Sequence, residues 1–124
     1  MQRLIFEDLL QWKTSPRRKP LILNGARQVG KTWILKHFGQ MHYDNVAYIN
    51  CDKESLAAKL FEDYDVKRII QALEAMTNTQ IVAGKTLIII DEIQEVPRGL
   101  HALKYFAENA PEQHIAVAGS LLGL

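Results

Sequence analysis

The sequence predicts an α/β protein in which helices flank a parallel sheet. Short apolar segments alternate with segments whose apolar residues recur every three or four positions, the pattern of strands joined by crossover helices. The most apolar segment, residues 87–90, is Leu-Ile-Ile-Ile and is typical of a strand that is covered on both faces. The length of 124 residues predicts a single domain over residues 1–124.

In chain order, the pattern predicts five helices and four strands. The first helix is expected at residues 4–13, and the second begins after residue 30 and ends at Gly39. Asp52 is the expected cap of a short third helix around Leu60, Asp65 is the expected cap of the fourth, and the fifth follows Pro97. Strands are expected at residues 21–23, 46–50, 87–90 and 115–118. Because parallel strands share one direction, their carboxyl ends meet at one edge, where open α/β sheets bind ligands.

The composition argues against several classes of protein. Fifteen lysines and arginines against 14 acids leave a formal charge of +1, which provides no strong positive field for a nucleic-acid backbone. Residues 87–90 form the longest aliphatic run, far short of the roughly 18 to 20 apolar residues of a membrane span. The N-terminus does not resemble a secretory signal, and the single cysteine, Cys51, cannot form an internal disulfide. We therefore expect a cytoplasmic protein with no membrane partner.

One segment carries a phosphate-binding pattern between the first predicted strand and the next helix. It matches G-x-x-x-x-G-K-[ST] at every fixed position, and the backbone N–H groups of such a loop point at a phosphate. The expected nucleotide-binding residues are Gly25, Ala26, Arg27, Gln28, Val29, Gly30, Lys31 and Thr32. Lys31 would contact the β- and γ-phosphates of ATP, and the Thr32 hydroxyl would hold Mg²⁺. The alternative is a glycine-rich turn without a ligand.

Two basic features near this loop have less specific interpretations. Arg27 is a candidate for contact with a phosphate or a neighbouring subunit, and the alternative is a solvated side chain. Residues 17–19, Arg-Arg-Lys, are interpreted as a solvated turn, with nucleic-acid contact as the alternative.

Two adjacent acids, Asp91 and Glu92, directly follow the most apolar strand. We expect Asp91 to hold Mg²⁺ through water, and Glu92 to act as the general base that polarises an attacking water molecule. A catalytic glutamate beside the metal-binding aspartate favours water as the nucleophile, and hence hydrolysis. The alternative is that the two acids only cap the following turn.

The last predicted strand ends in a small polar residue, Ser120. It is a candidate for contact with the γ-phosphate and the attacking water, and the alternative is an ordinary Gly-Ser turn. The four histidines show no metal-ligand spacing with one another or with Cys51, so each is expected at the surface or at a helix end. Cys51 is interpreted as a packed small residue. For Gln94 and Glu95, nucleotide contact and a solvated turn both remain open.

Four segments together resemble one family. They are residues 23–32, 48–52, 90–97 and 118–120, of which the Gly-Ala-Arg-Gln-Val-Gly-Lys-Thr loop and the Asp-Glu-Ile-Gln segment are the most specific. Over residues 4–124 the chain is similar to the prokaryotic AAA-type ATPases, related to archaeal ATPases, in which a C-terminal nuclease-like domain follows the ATPase core. The resemblance implies a P-loop NTPase fold of the AAA type, with the loop residues and acids in the roles above and Ser120 at the sensor position. The family often has a second serine where this chain has Leu121.

The resemblance also implies the strand order 1-4-3-2, with the strand at residues 21–23 exposed at one edge. Such a core normally adds a fifth strand, a helical lid and an arginine from a neighbouring subunit, for which the residues after Ser120 offer no candidate. We therefore expect an N-terminal fragment of a larger ATPase. It should bind ATP or ADP and self-associate through its edge strand or form a homo-oligomer. Nucleic acid would be contacted only through a C-terminal part.

The expected activity is Mg²⁺-dependent ATP hydrolysis that drives a conformational change of the larger protein, with slow turnover in this fragment. One alternative is a nucleotide-dependent switch with negligible turnover. The other is a small-molecule kinase. Phosphate release distinguishes the first two, and a screen of acceptors distinguishes the third.

Overall fold

The computed structural model describes residues 2–25 and 30–120. Its helices are α1 (Gln2–Thr14), α2 (Lys31–His42), α3 (Ala57–Leu60), α4 (Val66–Thr77) and α5 (Pro97–Asn109). Its strands are β1 (Leu21–Asn24), β2 (Asn45–Asn50), β3 (Thr86–Asp91) and β4 (His114–Gly119), and a 3₁₀ turn (Ile93–Glu95) follows β3. No helix within these described ranges is long and apolar enough to cross a membrane.

The four described strands form one parallel sheet in the order β1-β4-β3-β2. This finding confirms the predicted order. The central strands β3 and β4 are buried along their whole length. β1 and β2 form the two edges of the described sheet, and the Ile22 side chain in β1 is 48% exposed. The strand that leads into the predicted phosphate loop is therefore an edge strand here, as the resemblance implied.

Alternate residues of β3 enter two apolar cores, one on each face of the sheet. Leu87 and Ile89 belong to a cluster with residues of α1 and α2, among them Phe38. Ile88 and Ile90 belong to a cluster with residues of α3, α4 and α5. Because both faces of β3 are covered by helices, neither face has a place for a polar side chain, which explains the continuous apolar run.

Helix α2 continues past Gly39, where the sequence predicted its end, as far as His42. A Cβ atom at position 39 would lie 2.4 Å from Cγ2 of Val46 in β2, closer than side chains approach one another. Gly39 therefore permits α2 to pack closely on the sheet instead of ending the helix.

Two aspartates are predicted helix caps, and the structure confirms one of them. The carboxylate of Asp65 accepts a hydrogen bond from the backbone N–H of Arg68 at 3.3 Å and caps α4. The predicted cap at Asp52 is wrong, because α3 begins only at residue 57 and has no side-chain cap. The backbone N–H of Asp52 instead donates to Oδ1 of Asn50 at 2.9 Å, since the chain turns directly at the end of β2.

His114 is a buried histidine, which corrects the prediction that every histidine lies at the surface or at a helix end. It is the first residue of β4 and is only 6% exposed. Its Nδ1 lies 2.6 Å from the Tyr43 hydroxyl, and the Trp12 ring packs edge-on against the imidazole. Burial, and then the charges of Arg18 and Lys13, lower the pKa of His114 from 6.5 to about 4.

We expect this histidine to make the protein less stable in mild acid. Because the folded pKa lies below the value of 6.5 in the unfolded chain, the contribution of His114 to stability is complete above pH 6.5 and is lost as the pH falls toward 4. The free energy of unfolding should therefore be smaller at pH 5 than at pH 7.5, by about 1 to 2 kcal/mol from this residue.

Urea unfolding of the wild type and of His114→Gln at the two pH values measures this contribution. The variant should show a weaker pH dependence than the wild type. His101→Gln, at an exposed histidine of α5, is the matched control and should behave as the wild type. The same pH dependence in all three proteins would contradict the assignment.

Candidate functional site

The carboxyl ends of β1, β3 and β4 meet the start of α2 at one edge of the sheet. The pairing of β1 with β4 is extended by a hydrogen bond from the Gly25 N–H to the Gly119 carbonyl at 3.2 Å. Gly30 precedes α2 with a φ of 77°, a left-handed conformation that glycine adopts without a steric penalty. These two glycines are the described ends of the predicted phosphate loop. Four predicted nucleotide-binding residues lie outside the described residues: Ala26, Arg27, Gln28 and Val29.

Lys31 is the first residue of α2 and is buried, with 5% of its surface exposed. Its Nζ donates a hydrogen bond to the carbonyl oxygen of Gly25 at 2.5 Å. The ammonium group therefore reaches from the helix back to the start of the predicted loop. A buried ammonium and the positive end of the helix dipole together favour an anion at this place.

Asp91 connects the start of α2 to the acidic end of β3. It is the last residue of β3 and is 3% exposed. Its Oδ2 accepts hydrogen bonds from the Thr32 hydroxyl at 2.5 Å and from the Tyr48 hydroxyl at 2.7 Å. Its Oδ1 accepts the backbone N–H of Glu92 at 2.9 Å. The fold thus brings the two predicted metal ligands, Thr32 and Asp91, into direct contact.

Tyr48 is a site residue that no sequence motif indicated. Its ring lies under the Lys36 ammonium, with Nζ 3.8 Å from the ring centre. Burial, and then the hydrogen bond to Asp91, raise the pKa of Tyr48 well above its ordinary value. The hydroxyl therefore stays protonated and able to donate. Two sequence signals point to this region: Tyr48 begins the segment at residues 48–52 that resembles the family, and its strand is one that a parallel sheet can place beside the acidic strand.

Glu92 has a left-handed backbone conformation, with φ 54° and ψ 45°. This region costs a residue other than glycine about 1 to 2 kcal/mol. The turn ends β3 and leads into the 3₁₀ turn, and the Glu92 side chain lines the same cavity as Lys31 and Asp91. Backbone conformations of this kind cluster at active sites and ligand-binding sites.

A cavity of about 410 Å³ opens beside these residues. Its described lining consists of Lys31, Thr32, Lys36, Tyr48, Asn50, Asp52, Lys53, Asp91 and Glu92. The three lysines and three carboxylates among them suit a phosphate chain that carries a divalent cation. A larger cavity of about 570 Å³ between α4 and the end of α5 contains none of the predicted site residues.

The oxygen atoms of the side chains at this site suit Mg²⁺ as ligands. This cation prefers oxygen ligands and is usually held by one or two protein groups together with phosphate oxygens and water. The Thr32 hydroxyl and the Asp91 carboxylate are such groups. No cluster of three or more His, Cys, Asp or Glu side chains that could hold a metal occurs in the described ranges.

The end of β4 contacts the turn that follows the two acids. The backbone N–H of Ser120 donates to Oε1 of Gln94 at 3.2 Å. A Cβ atom at Gly119 would lie 2.3 Å from the same oxygen, so the glycine leaves room for the Gln94 side chain in this position. The side chain of Gln94, which is half-buried, therefore contacts the end of β4. Ser120 lies at the same sheet edge but is not among the described residues that line the cavity.

Cys51 is buried beside the site, with 7% of its surface exposed. Burial, and then the negative charge of Asp91, raise the pKa of its thiol to about 12. The thiol is therefore protonated at neutral pH and unreactive, in agreement with the prediction of a packed small residue.

Residues 17–124 match the family model described as AAA domain. The chain belongs to the AAA domain family. Membership supports a nucleotide-binding function of the ATPase type and confirms the resemblance at the level of an AAA-type ATPase core. No curated protein sequence matches this AAA domain.

Two solved structures share the fold of this AAA domain. The Aeropyrum pernix ORC1 protein, solved in complex with DNA, is 17% identical with a TM-score of 0.56, and the similarity covers 98% of this chain and 38% of that chain. C. elegans PCH-2 is 18% identical with a TM-score of 0.54, and the similarity covers 98% of this chain and 35% of that chain. At these identities the similarity concerns the fold alone. This AAA domain spans less than two fifths of either chain.

Proposed function

We propose that this AAA domain binds ATP together with Mg²⁺ and hydrolyses it to ADP and phosphate. The hydrogen bond between Thr32 and Asp91 supports the proposal most directly, because it joins the phosphate-binding motif to the acidic strand end. Both groups line one cavity with the buried ammonium of Lys31. The buried ammonium of Lys31 at the start of a helix favours an anionic ligand at this place over a glycine-rich turn without a ligand.

Binding is proposed to use the start of α2 and the loop before it. The Lys31 ammonium, which now donates to Gly25, would donate to oxygens of the β- and γ-phosphates. Backbone N–H groups of the motif at residues 25–32 would surround the phosphates. Thr32 and Asp91 would hold Mg²⁺, which neutralises phosphate charge when it is bound.

Hydrolysis is proposed to depend on Glu92, which directly follows Asp91 in the sequence and lines the same cavity. The carboxylate would accept a proton from a water molecule as the water oxygen bonds to the γ-phosphorus. The bond from that phosphorus to the bridging oxygen breaks, and ADP leaves. Ser120, held by Gln94, would contact the γ-phosphate or the water.

The domain is proposed to act within a larger assembly. It spans less than two fifths of the ORC1 and PCH-2 chains whose fold it shares. An arginine from a neighbouring subunit can raise the rate of phosphoryl transfer about 10³- to 10⁵-fold. We therefore propose that a homo-oligomer supplies such a group, and that hydrolysis drives a conformational change of the larger protein.

Single-turnover hydrolysis tests the proposed function. Protein in excess over radiolabelled ATP is incubated with Mg²⁺ or with EDTA, and nucleotide affinity is measured separately with fluorescent ATP and ADP. We expect binding and a slow release of phosphate that requires Mg²⁺. Absence of binding at millimolar nucleotide would contradict the proposal. Binding without release would indicate the switch instead, and phosphate transfer to an added small acceptor would indicate a kinase.

A further inference from the structure

We propose that Tyr48 is a positioning residue of the metal site, whose hydroxyl fixes the Asp91 carboxylate in the orientation that Mg²⁺ with bound nucleotide requires. The inference rests on the proposed function, since it concerns the same cation. Tyr48 is not a ligand itself. It acts through Asp91, which it contacts at 2.7 Å.

The first support is the set of donors around Asp91. The carboxylate accepts hydrogen bonds from three separate parts of the fold: the Thr32 hydroxyl of α2, the Tyr48 hydroxyl of β2 and the Glu92 N–H after β3. Donors on both oxygens prevent the carboxylate from rotating. Without Tyr48, the described contact to Oδ2 from the β2 side is lost and the Thr32 hydroxyl is the described donor that remains on this oxygen, so the carboxylate is held less firmly.

The second support is that two residues on one side of α2 lie opposite two residues on the same face of the sheet. Thr32 and Lys36 are four residues apart and lie on the same side of α2. In the sheet, Tyr48 pairs with Ile89, and the next pair on the same face is Asn50 with Asp91. Helix α2 therefore presents the Thr32 hydroxyl to Asp91 and, one turn later, the Lys36 ammonium to the ring of Tyr48.

The Lys36 ammonium gives the tyrosine ring a defined position. Its Nζ lies 3.8 Å from the ring centre, within the range of a cation–π interaction. The ring is thus held from the helix side while its hydroxyl extends to Asp91. In metal sites, groups that orient a ligand without binding the metal commonly change metal affinity 10- to 100-fold when they are removed.

The affinity for a fluorescent ADP, titrated at increasing free Mg²⁺, tests this role without requiring turnover. In Tyr48→Phe the ring remains and only the hydroxyl is lost. We expect the affinity in EDTA to stay as in the wild type, and the Mg²⁺ concentration that gives half of the increase in affinity to rise about tenfold.

Tyr43→Phe is the matched control. It likewise removes one tyrosine hydroxyl, that of the buried Tyr43, which contacts His114 away from the cavity. The control should lose thermal stability to a similar extent as Tyr48→Phe and keep the Mg²⁺ dependence of the wild type.

The outcomes separate the inference from the proposed function. A wild type that binds no nucleotide overturns both. The wild type and both variants could instead bind nucleotide with the same dependence on Mg²⁺. That result would overturn the role of Tyr48 and leave the proposed function standing. A shift in Tyr48→Phe that is absent from the control supports it.

Discussion

Lys31→Ala should weaken ATP binding about 10- to 100-fold, the range expected for losing hydrogen bonds from a charged donor to phosphate oxygens. The side chain is buried at the start of α2 and already reaches to Gly25, the first residue of the phosphate-binding motif. Equilibrium titration with fluorescent ATP measures the effect.

Lys67→Ala is the control for this prediction. Lys67 is an exposed lysine of α4 that lines the separate cavity of about 570 Å³, and its removal should leave the affinity unchanged. Thermal unfolding of both variants checks that each is folded. Unchanged affinity in a folded Lys31→Ala protein would show that the motif does not bind phosphate.

Glu92→Gln should leave nucleotide binding intact and lower the rate of hydrolysis about 10²- to 10⁴-fold, the usual contribution of a general base. Glutamine keeps the size of the side chain and the same left-handed backbone at φ 54°, but it cannot accept the proton of the attacking water. Single-turnover hydrolysis gives the rate, and titration gives the affinity.

Glu95→Gln serves as the matched control, because Glu95 is an exposed carboxylate at the end of the 3₁₀ turn that follows Glu92. It removes the same charge a short distance from the cavity and should keep the rate of the wild type. If Glu92→Gln also kept that rate, the proton would have to go to another group.

The order of the sheet was implied by the resemblance to AAA-type ATPases, whereas the meeting of Thr32 with Asp91 was open to prediction because it depends on two local patterns. The apolar run at residues 87–90 requires a strand covered on both faces, and the motif at residues 25–32 requires a strand, a loop and a helix in that order. Parallel strands then place the acids beside the start of the helix. The cap at Asp65 was likewise local, with its partner three residues away.

The features that were missed depend on contacts between distant parts of the chain. Tyr48 becomes a site residue only through the register of β2 against β3. His114 is buried because Trp12 and Tyr43 pack on it from elements far along the sequence. Glycine is typical of a helix end, so the sequence indicated that α2 ends at Gly39. Only the packing of Val46 against this position shows why a glycine lies inside the helix.

The position of β1 has a consequence for how the molecule acquires its site. Within the described sheet, β1 pairs with β4 alone, and Leu21 lies opposite Ala116. During synthesis at about 5 to 20 residues per second, β1 leaves the ribosome about 5 to 20 s before its partner does. Pairing partners so distant in sequence also make folding slow, because a long loop must close first. The strand that leads into the phosphate-binding motif is therefore made well before the strand that supports it. Under the proposed function, nucleotide would stabilise the folded domain only after the chain has emerged as far as Gly119.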